Sequence, residues 1–443
     1  MKIAIIGAGI SGLTAAYRLQ REHEVTLLEA ADYAGGHTNT IDVPAGGDWL
    51  AIDTGFIVFN DRTYPNFIQL LDELGVESHP TSMGFSVRCE QSGLEYAGTG
   101  LDGLFAQRGN LFSPRFYRLI SDWLRFNRLA PRVLAEVDET LTVSEFFRQH
   151  PFSRTFLDHY FLPMGSAVWS CPRSAIEQFP IRFIVQFYGN HGLLSLRDRP
   201  KWRVIDGGSR TYVTALLGRL NATVRLRSPV TAIRRDEAGV QLSVRGQTTP
   251  ENYDHVIFAC HSDQALRILG PAATTTEREV LSSFPYEHNL AILHTDASIL
   301  PHSRRAWASW NYLSPREDPA KTTVTYNMNL LQGLTAKETY CVSLNCESRL
   351  DPAKVIRRID YHHPVFGAGR SAAQRRHPEL LGPNRTSFCG AYWGNGFHED
   401  GVTSALAVCR NLASLPCTVA STRAMSAIAD SRPAPTSFVT GCS

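Results

Sequence analysis

A glycine-spaced turn close to the N-terminus sets the strongest limit on what this chain can fold into. Residues 2–28 read KIAIIGAGISGLTAAYRLQREHEVTLL. The apolar run KIAIIG predicts a buried strand. SGLTAAYRLQRE carries Leu13, Ala16, Tyr17 and Leu19 at helical spacing, and EVTLLEA predicts a second strand, so the chain opens as a β-α-β unit. Gly7, Gly9 and Gly12 stand between strand and helix as G-x-G-x-x-G. Alone that pattern is weak; after a strand and opening a helix it points to a nucleotide pyrophosphate. Gly7 allows the tight turn, Gly9 lets backbone approach the phosphates, and Gly12 lets helix and strand pack closely. The helix N-terminus, with Ser11 in its first turn, offers unpaired N–H groups and a positive dipole end. Glu29 closes the second strand, where a carboxylate accepts hydrogen bonds from ribose hydroxyls.

The residues after Glu29 discriminate between two dinucleotides. The run AADYAGGHTNT sets a second glycine pair, Gly35 and Gly36, and then His37 just past the acidic strand end. An NAD site has no need of them. A flavin does, because its ribityl chain and ring system extend beyond the pyrophosphate. WLAIDTGFIVFN then brings Asp53, Thr54 and Gly55 back towards the same region. The cofactor expected is FAD, and with no second fingerprint NAD(P)H dependence has no support.

Composition bounds the rest. A chain of 443 residues implies about two domains. Hydrophobic content of 43% with 19% charged residues is that of a globular protein. A net charge of +2 gives no support for a nucleic-acid or acidic-ligand partner. No apolar run reaches the length of a membrane span. MKIAIIG is too short for a signal peptide, so the expectation is a cytoplasmic protein. The nine cysteines are scattered without a C-x-x-C, so no metal site is expected.

Further along, PNFIQLLDELGV predicts a helix ending at Gly75, and residues 113–134 a longer one opening with Ser-Pro. That segment places Phe116, Leu119, Ile120, Trp123 and Leu124 on one side. Arg115, Arg118, Arg125, Arg128 and Arg132 dominate the remainder. A basic amphipathic helix of this kind suits either a packed, solvated helix or peripheral contact with an anionic membrane. From Leu290 to Leu350 the pattern alternates as in antiparallel sheet. Beyond Pro416 the chain is Ala, Ser, Thr and Pro without apolar period, and a loose tail is expected over 413–443.

The combination of fingerprint, acidic ribose residue, glycine pair, the strand SPVTAI around Val230 and the late run CGAYWGNGFHEDGVTSALAV resembles the flavin amine-oxidase superfamily. The resemblance extends to about residue 412. It implies an α/β protein: a Rossmann-like FAD-binding domain of the glutathione-reductase type with a discontinuous α+β substrate domain of the amine-oxidase type. On this chain the FAD domain would take 1–75, 203–265 and 385–412, and the substrate domain 76–202 and 266–384. The resemblance further implies that backbone at Val230 meets adenine. Gly394, Asp400 and Gly401 would lie on the flavin, and the N-terminus of the last helix, led by the Val402 amide, would face its pyrimidine edge. Tyr392 and Trp393 would wall the substrate pocket, with plain core packing the alternative for both. Within the superfamily, GGHTNT, DTGFIVFN, WASWNYL and YWGNGFHEDG are similar to a bacterial group of amine-oxidase-like flavoproteins associated with cyclopropane and methyl-branched fatty-acid genes.

Two departures bear on chemistry. His37 stands where amine oxidases have arginine, and YEHNLAIL has His288 or Asn289 where they commonly carry lysine near flavin N5. The expected function is therefore an FAD-dependent oxidoreductase that dehydrogenates or desaturates a hydrophobic acyl chain, fatty acid or phospholipid, by hydride transfer to flavin N5. Amine oxidation, double-bond isomerisation and a non-catalytic partnership with a lipid-modifying enzyme are the alternatives. Loss of a proton beside the hydride needs a base. His398 and Glu399 are the first candidates, and His294 with Asp296, two apart on one strand face, the second.

Overall fold

The computed structural model describes residues 1–414 except 170, 196–198, 317–322, 366 and 368. The tail expected over 413–443 therefore falls, from residue 415, outside the described residues.

A five-stranded parallel sheet carries the glycine turn. Its order is Thr223–Arg225, Glu24–Leu28, Lys2–Ile6, His255–Phe258, Thr386–Phe388, with Lys2–Ile6 central. Its strands thus come from three separated stretches of sequence. A parallel sheet must be covered on both faces, and near-continuous apolar strands such as Ile3–Ile6 answer to that. On one face lie the helices Ile10–Leu19 and His398–Ser414, packed through Leu13, Ala16, Val402 and Ala405. On the other lies an antiparallel sheet of Val230–Asp236, Gly239–Val244 and Glu251–Tyr253, whose Val230 and Leu242 meet Ile6 and Phe258.

A second, seven-stranded sheet is built wholly from residues 85–97 and 286–364. All its pairings are antiparallel except Phe85–Cys89 with Trp310–Ser314. The helices between residues 114 and 190 form their own apolar cluster around Phe126, Phe146, Phe156 and Phe161. No helix among the described residues is long and apolar enough to cross a membrane.

The two ends of the chain interlock. A Cβ on Gly401 would stand 2.8 Å from Ile10 Cγ2 and 2.9 Å from Ser11 Oγ, so the closing helix crosses the glycine-turn helix at a point where only hydrogen fits.

Candidate functional site

A cavity of about 1180 Å³ is lined from both sheets. At one part of it the glycine turn forms a cradle. Gly7 has φ +105°, and its Cβ would meet Ala259 O at 2.9 Å, so the tight turn needs glycine there. Gly12 does not line the cavity. Its Cβ would fall 1.9 Å from Gly7 O, which makes it the point of close helix–strand approach. Gly9 lines the cavity with nothing within 4 Å of its Cβ position, leaving open space where a phosphate would sit. Gly36, at φ +60°, has its Cβ position 3.2 Å from Gly9 Cα, so the second glycine pair closes over the first turn. Gly35, Ser11 and Gly55 also line it. Glu29 is on the lining, its carboxylate fixed by the Ala8 amide at 2.7 Å and the Ala31 amide at 2.9 Å. Val230 lines the same region. Thr54 stands behind the lining, donating to Asn39 O at 2.8 Å and meeting the Tyr361 hydroxyl at 3.1 Å.

This cradle fits FAD by its shape and donor set. The N-terminus of Ile10–Leu19 opens on the space beside Gly9, with Ile10 and Ser11 on the lining. Glu29 offers an acceptor at the ribose position. His37 Nε2 is buried on the lining without a protein partner, directly after the glycine pair.

The closing run meets this cradle, but not residue for residue as the sequence suggests. Gly390, Ala391, Tyr392, Gly396, Phe397 and His398 line the cavity; Trp393, Gly394, Asp400, Gly401 and Val402 do not. Trp393 stacks on His377 at 4.0 Å and packs edge-on to Phe284, so it belongs to the core, and only Tyr392 remains as a pocket wall. Gly394 lies against Asp400, whose carboxylate accepts from the Phe397 amide at 2.9 Å. Burial pushes the Asp400 carboxyl up to about 6 against the pull of the Phe397 and Asn395 amides. The helix starts at His398, three residues earlier than Gly401. The Val402 amide is thus one turn inside it, and the free amides expected at that end belong to His398, Glu399 and Asp400.

Both first candidates for a base are reassigned. Glu399 Oε1 accepts from the Asn66 amide at 3.1 Å and from Asn66 Nδ2 at 2.6 Å, and Oε2 from the Phe67 amide at 2.9 Å. It caps the helix Pro65–Leu74, whose own N-cap residue Tyr64 supplies no side-chain acceptor. His398 does line the cavity, stacked on Phe56 at 3.5 Å. Its Nε2 meets Thr38 Oγ1 at 2.9 Å and the Tyr212 hydroxyl at 3.0 Å. Burial first, and then His37, drives its proton affinity well below that of a free imidazole. A ring of lowered proton affinity is a weaker base, and its Nε2 is engaged by a buried hydroxyl pair.

The second pair is also structural. His294 Nε2 meets Ser343 Oγ at 2.8 Å and its Nδ1 accepts from the Asp296 amide at 3.1 Å. Asp296 accepts from the Asp351 and Ser298 amides and pairs with Lys354 at 3.2 Å. Neither is on the cavity. His288 pairs with Asp360 at 2.7 Å. Asn289 is buried and acts one step back from the cavity: its Nδ2 donates to His363 Nδ1 at 3.0 Å, while Asn345 Nδ2 donates to Asn289 Oδ1 at 2.7 Å.

That chain leads to a group the sequence does not reveal. His37, His261 and His363 meet on the lining, with His37 ring centroids 6.0 Å from His261 and 5.4 Å from His363. Tyr361 stacks on His37 at 4.9 Å and Tyr286 on His261 at 4.4 Å. Burial, reinforced by the neighbouring rings, lowers His363 and His261 to about 3, and burial lowers His37 to about 4. All three are neutral at pH 7. With Nδ1 accepting from Asn289, His363 carries its proton on Nε2. The available signal is the pair Tyr361 and His363, two apart on the strand Val355–Pro364 and hence on one face.

Part of the remaining lining is apolar: Met83, Phe85, Met164, Val168, Trp169 and Leu331. Phe187, His191, Trp202 and Phe397 form a stacked aromatic wall, with His191 3.8 Å from Phe187 and 5.8 Å from Trp202. Arg199 and Lys201 are exposed members of the lining, which puts them where the cavity meets solvent.

Comparison with known proteins places this architecture. Residues 10–295 match the flavin containing amine oxidoreductase family. An L-amino acid dehydrogenase of Synechocystis is 25% identical over 256 residues, covering 54% of this chain and 52% of that one. The chain spans about half the length of the curated relatives it matches. Cyclohexylamine oxidase from Brevibacterium oxydans superposes with a TM-score of 0.66 at 18% identity, over 93% of this chain and 99% of that one. A CLA-producing fatty acid isomerase from P. acnes does so with 0.64 at 15%, over 92% and 98%. With more than half of its length matched by the family and a cradle that fits FAD, the chain belongs to the flavin-containing amine oxidoreductase family.

Proposed function

We propose that this enzyme oxidises a hydrophobic acyl chain bearing an anionic head, a fatty acid or phospholipid, as in the flavoprotein group associated with cyclopropane and methyl-branched fatty-acid genes. The observation that carries this reading is the balance of the cavity lining. Its substrate side is apolar and aromatic, and Arg199, Lys201 and Arg203 lie on it. Among the described lining residues only Glu29 and Asp360 are acidic. Glu29 sits at the nucleotide cradle, and Asp360 is paired with His288. A cationic amine would find no free carboxylate there, whereas a carboxylate or phosphate head would find two exposed cations.

Bound FAD supplies the two-electron acceptor. The chain's own residues bind and orient. The apolar wall excludes water and holds a methylene chain by area alone, at about 0.8 kcal/mol per buried CH₂. His363 presents an Nε2–H to the cavity, held in that tautomer by Asn289 and Asn345. His37 presents a bare Nε2 beside it. Neutral rings there fix orientation without adding a charge to a desolvated site.

The test is anaerobic bleaching of the flavin's visible band by fatty acids and phospholipids with methyl-branched or cyclopropane chains, against a panel of amines. Bleaching by the lipids alone, with a desaturated product, supports the proposal. Bleaching by amines alone refutes it. A shifted double bond without net bleaching would make the enzyme an isomerase. A flavin that no substrate reduces or turns over would leave a non-catalytic partner.

A further inference from the structure

Four large apolar side chains crowd the surface between residues 101 and 117. Phe112 is 87% exposed, Leu101 77%, Tyr117 48% and Leu111 42%. Two contacts draw their segments together. The Tyr117 hydroxyl donates to the Leu111 carbonyl at 3.1 Å, and the Tyr117 ring lies 6.3 Å from Phe105, which ends the short helix Leu101–Leu104. The patch sits at the tip of the long helix Pro114–Glu136, capped by Ser113. That helix buries Phe116, Leu119 and Phe126 in the protein, while Tyr117 and Leu124 face outward. Isolated exposed apolar residues need no account, but a contiguous group of this size marks an interaction surface.

Cations ring the patch. Arg108, Arg115, Arg118, Arg304 and Arg305 are all exposed. The turn Arg304–Ala306 packs on the Leu101–Leu104 helix, and Arg305 reaches Asp102 at 3.8 Å. Two carboxylates answer them: Asp102, shared by Arg108 and Arg305, and Asp122, buried and 3.5 Å from both Arg118 and Arg125. Arg115 and Arg304 have no carboxylate partner among the described residues.

We infer that this face docks on an anionic lipid bilayer, with Leu101, Leu111, Phe112 and Tyr117 entering the headgroup region and the arginines meeting lipid phosphates. Charge complementarity selects this occupant. A second copy of the chain, docked by a two-fold contact, would bring the same arginines face to face. An anionic surface takes apolar tips and cations together, and reversible binding needs both contributions. The inference rests on this surface and not on the identity of the substrate in the cavity.

The test is flotation of the full, flavin-loaded protein with vesicles of phosphatidylcholine, with or without one-third phosphatidylglycerol. The expected result is binding to the anionic vesicles only, weakened by salt. The double variants Leu111→Asp/Phe112→Asp and Arg115→Glu/Arg304→Glu should each reduce it about tenfold or more, which is about 1.4 kcal/mol. Both should keep flavin content and melting temperature, since all four side chains point to solvent. Failure of the wild type to bind anionic vesicles overturns the inference. So does undiminished binding by the Leu111→Asp/Phe112→Asp variant, which would leave only a non-specific basic surface. A wild-type dimer that this variant converts to monomer, without any vesicle binding, would assign the face to self-association instead.

Discussion

Replacing Gly9 by valine separates folding from cofactor retention. Gly9 has φ −75° and ψ −176°, an extended conformation open to any residue, and its Cβ position has no protein atom within 4 Å. The added valine carbons would project into the cradle between the glycine turn and Gly36. Gly9 is the N-cap residue of Ile10–Leu19 without a side-chain cap, and valine ranks below glycine at that position, so the loss of capping is about 1 kcal/mol. The flavin-free variant should melt within about 3 °C of flavin-free wild type. FAD is another matter. Displacing the pyrophosphate from the backbone amides removes one or two hydrogen bonds to a charged group, about 1.5–3 kcal/mol each. That predicts a rise in the dissociation constant of about 10- to 10⁴-fold. The assay pairs flavin absorbance of the purified protein with fluorescence titration of the flavin-free form and its thermal melt. Gly12→Val is the control: its Cβ would stand 1.9 Å from Gly7 O, so this variant should fail to fold. A Gly9→Val protein that purifies with full flavin would refute the placement of the phosphates. A Gly9→Val protein that melts far below flavin-free wild type would refute the claim that the cradle is open space.

Glu399→Ala should lower stability by about 1–2 kcal/mol, because two N-terminal amides of Pro65–Leu74 and the Asn66 side chain lose their shared acceptor. Substrate-driven flavin reduction at saturation should stay within about twofold of wild type, and a rate loss above about tenfold would restore Glu399 as a catalytic group. His294 is buried and lowered from 6.5 to about 4 mainly by that burial. Between those values the unfolded chain binds the extra proton and the folded one does not, so stability falls as pH drops from 6.5 towards 4. Wild type should therefore lose about 2 kcal/mol more than His294→Gln between pH 7 and pH 5 in urea unfolding, and parallel losses would contradict the burial of a neutral imidazole.

The parts of the site legible in the sequence are those whose meaning is local. The turn at Gly7, Gly9 and Gly12, the carboxylate of Glu29 and the pair Gly35 and Gly36 each reflect a strand ending, a helix starting and a phosphate needing room between them. Residues whose role is set by what the fold brings to them are less legible. Glu399 sits in a polar run beside a cofactor motif and looks like a base. It is a cap because a helix 333 residues earlier starts against it. His398 lies on the cavity as expected, but the hydroxyls of Thr38 and Tyr212, from two other elements, take its Nε2. Trp393 comes directly after Tyr392 in a short 3₁₀ turn, and two successive aromatics there cannot both face one pocket. The histidine cluster escapes notice because His261 and His363 are unremarkable in their own segments and join His37 only in the fold.

The distance in sequence between the first motif and the last polar run has a physical reason. The cradle for FAD is complete only when the helix His398–Ser414 lies across Ile10–Leu19, because Phe397 and His398 supply part of the wall opposite the glycine turn. Gly401 makes that crossing possible by leaving Ile10 Cγ2 and Ser11 Oγ the space a Cβ would take. Glu399, two residues earlier, ties the same helix to Pro65–Leu74. Ser404 Oγ, one turn further on, accepts from the Gly390 amide at 2.9 Å and so holds the start of the polar run against it. The run carries glycine where the chain itself crowds it: a Cβ on Gly390 would stand 2.4 Å from the Tyr392 ring, and one on Gly394 1.9 Å from the Asp400 carboxylate. Binding energy for FAD is thereby linked to docking of the C-terminal helix, and the ligand stabilises the closure of the chain on itself.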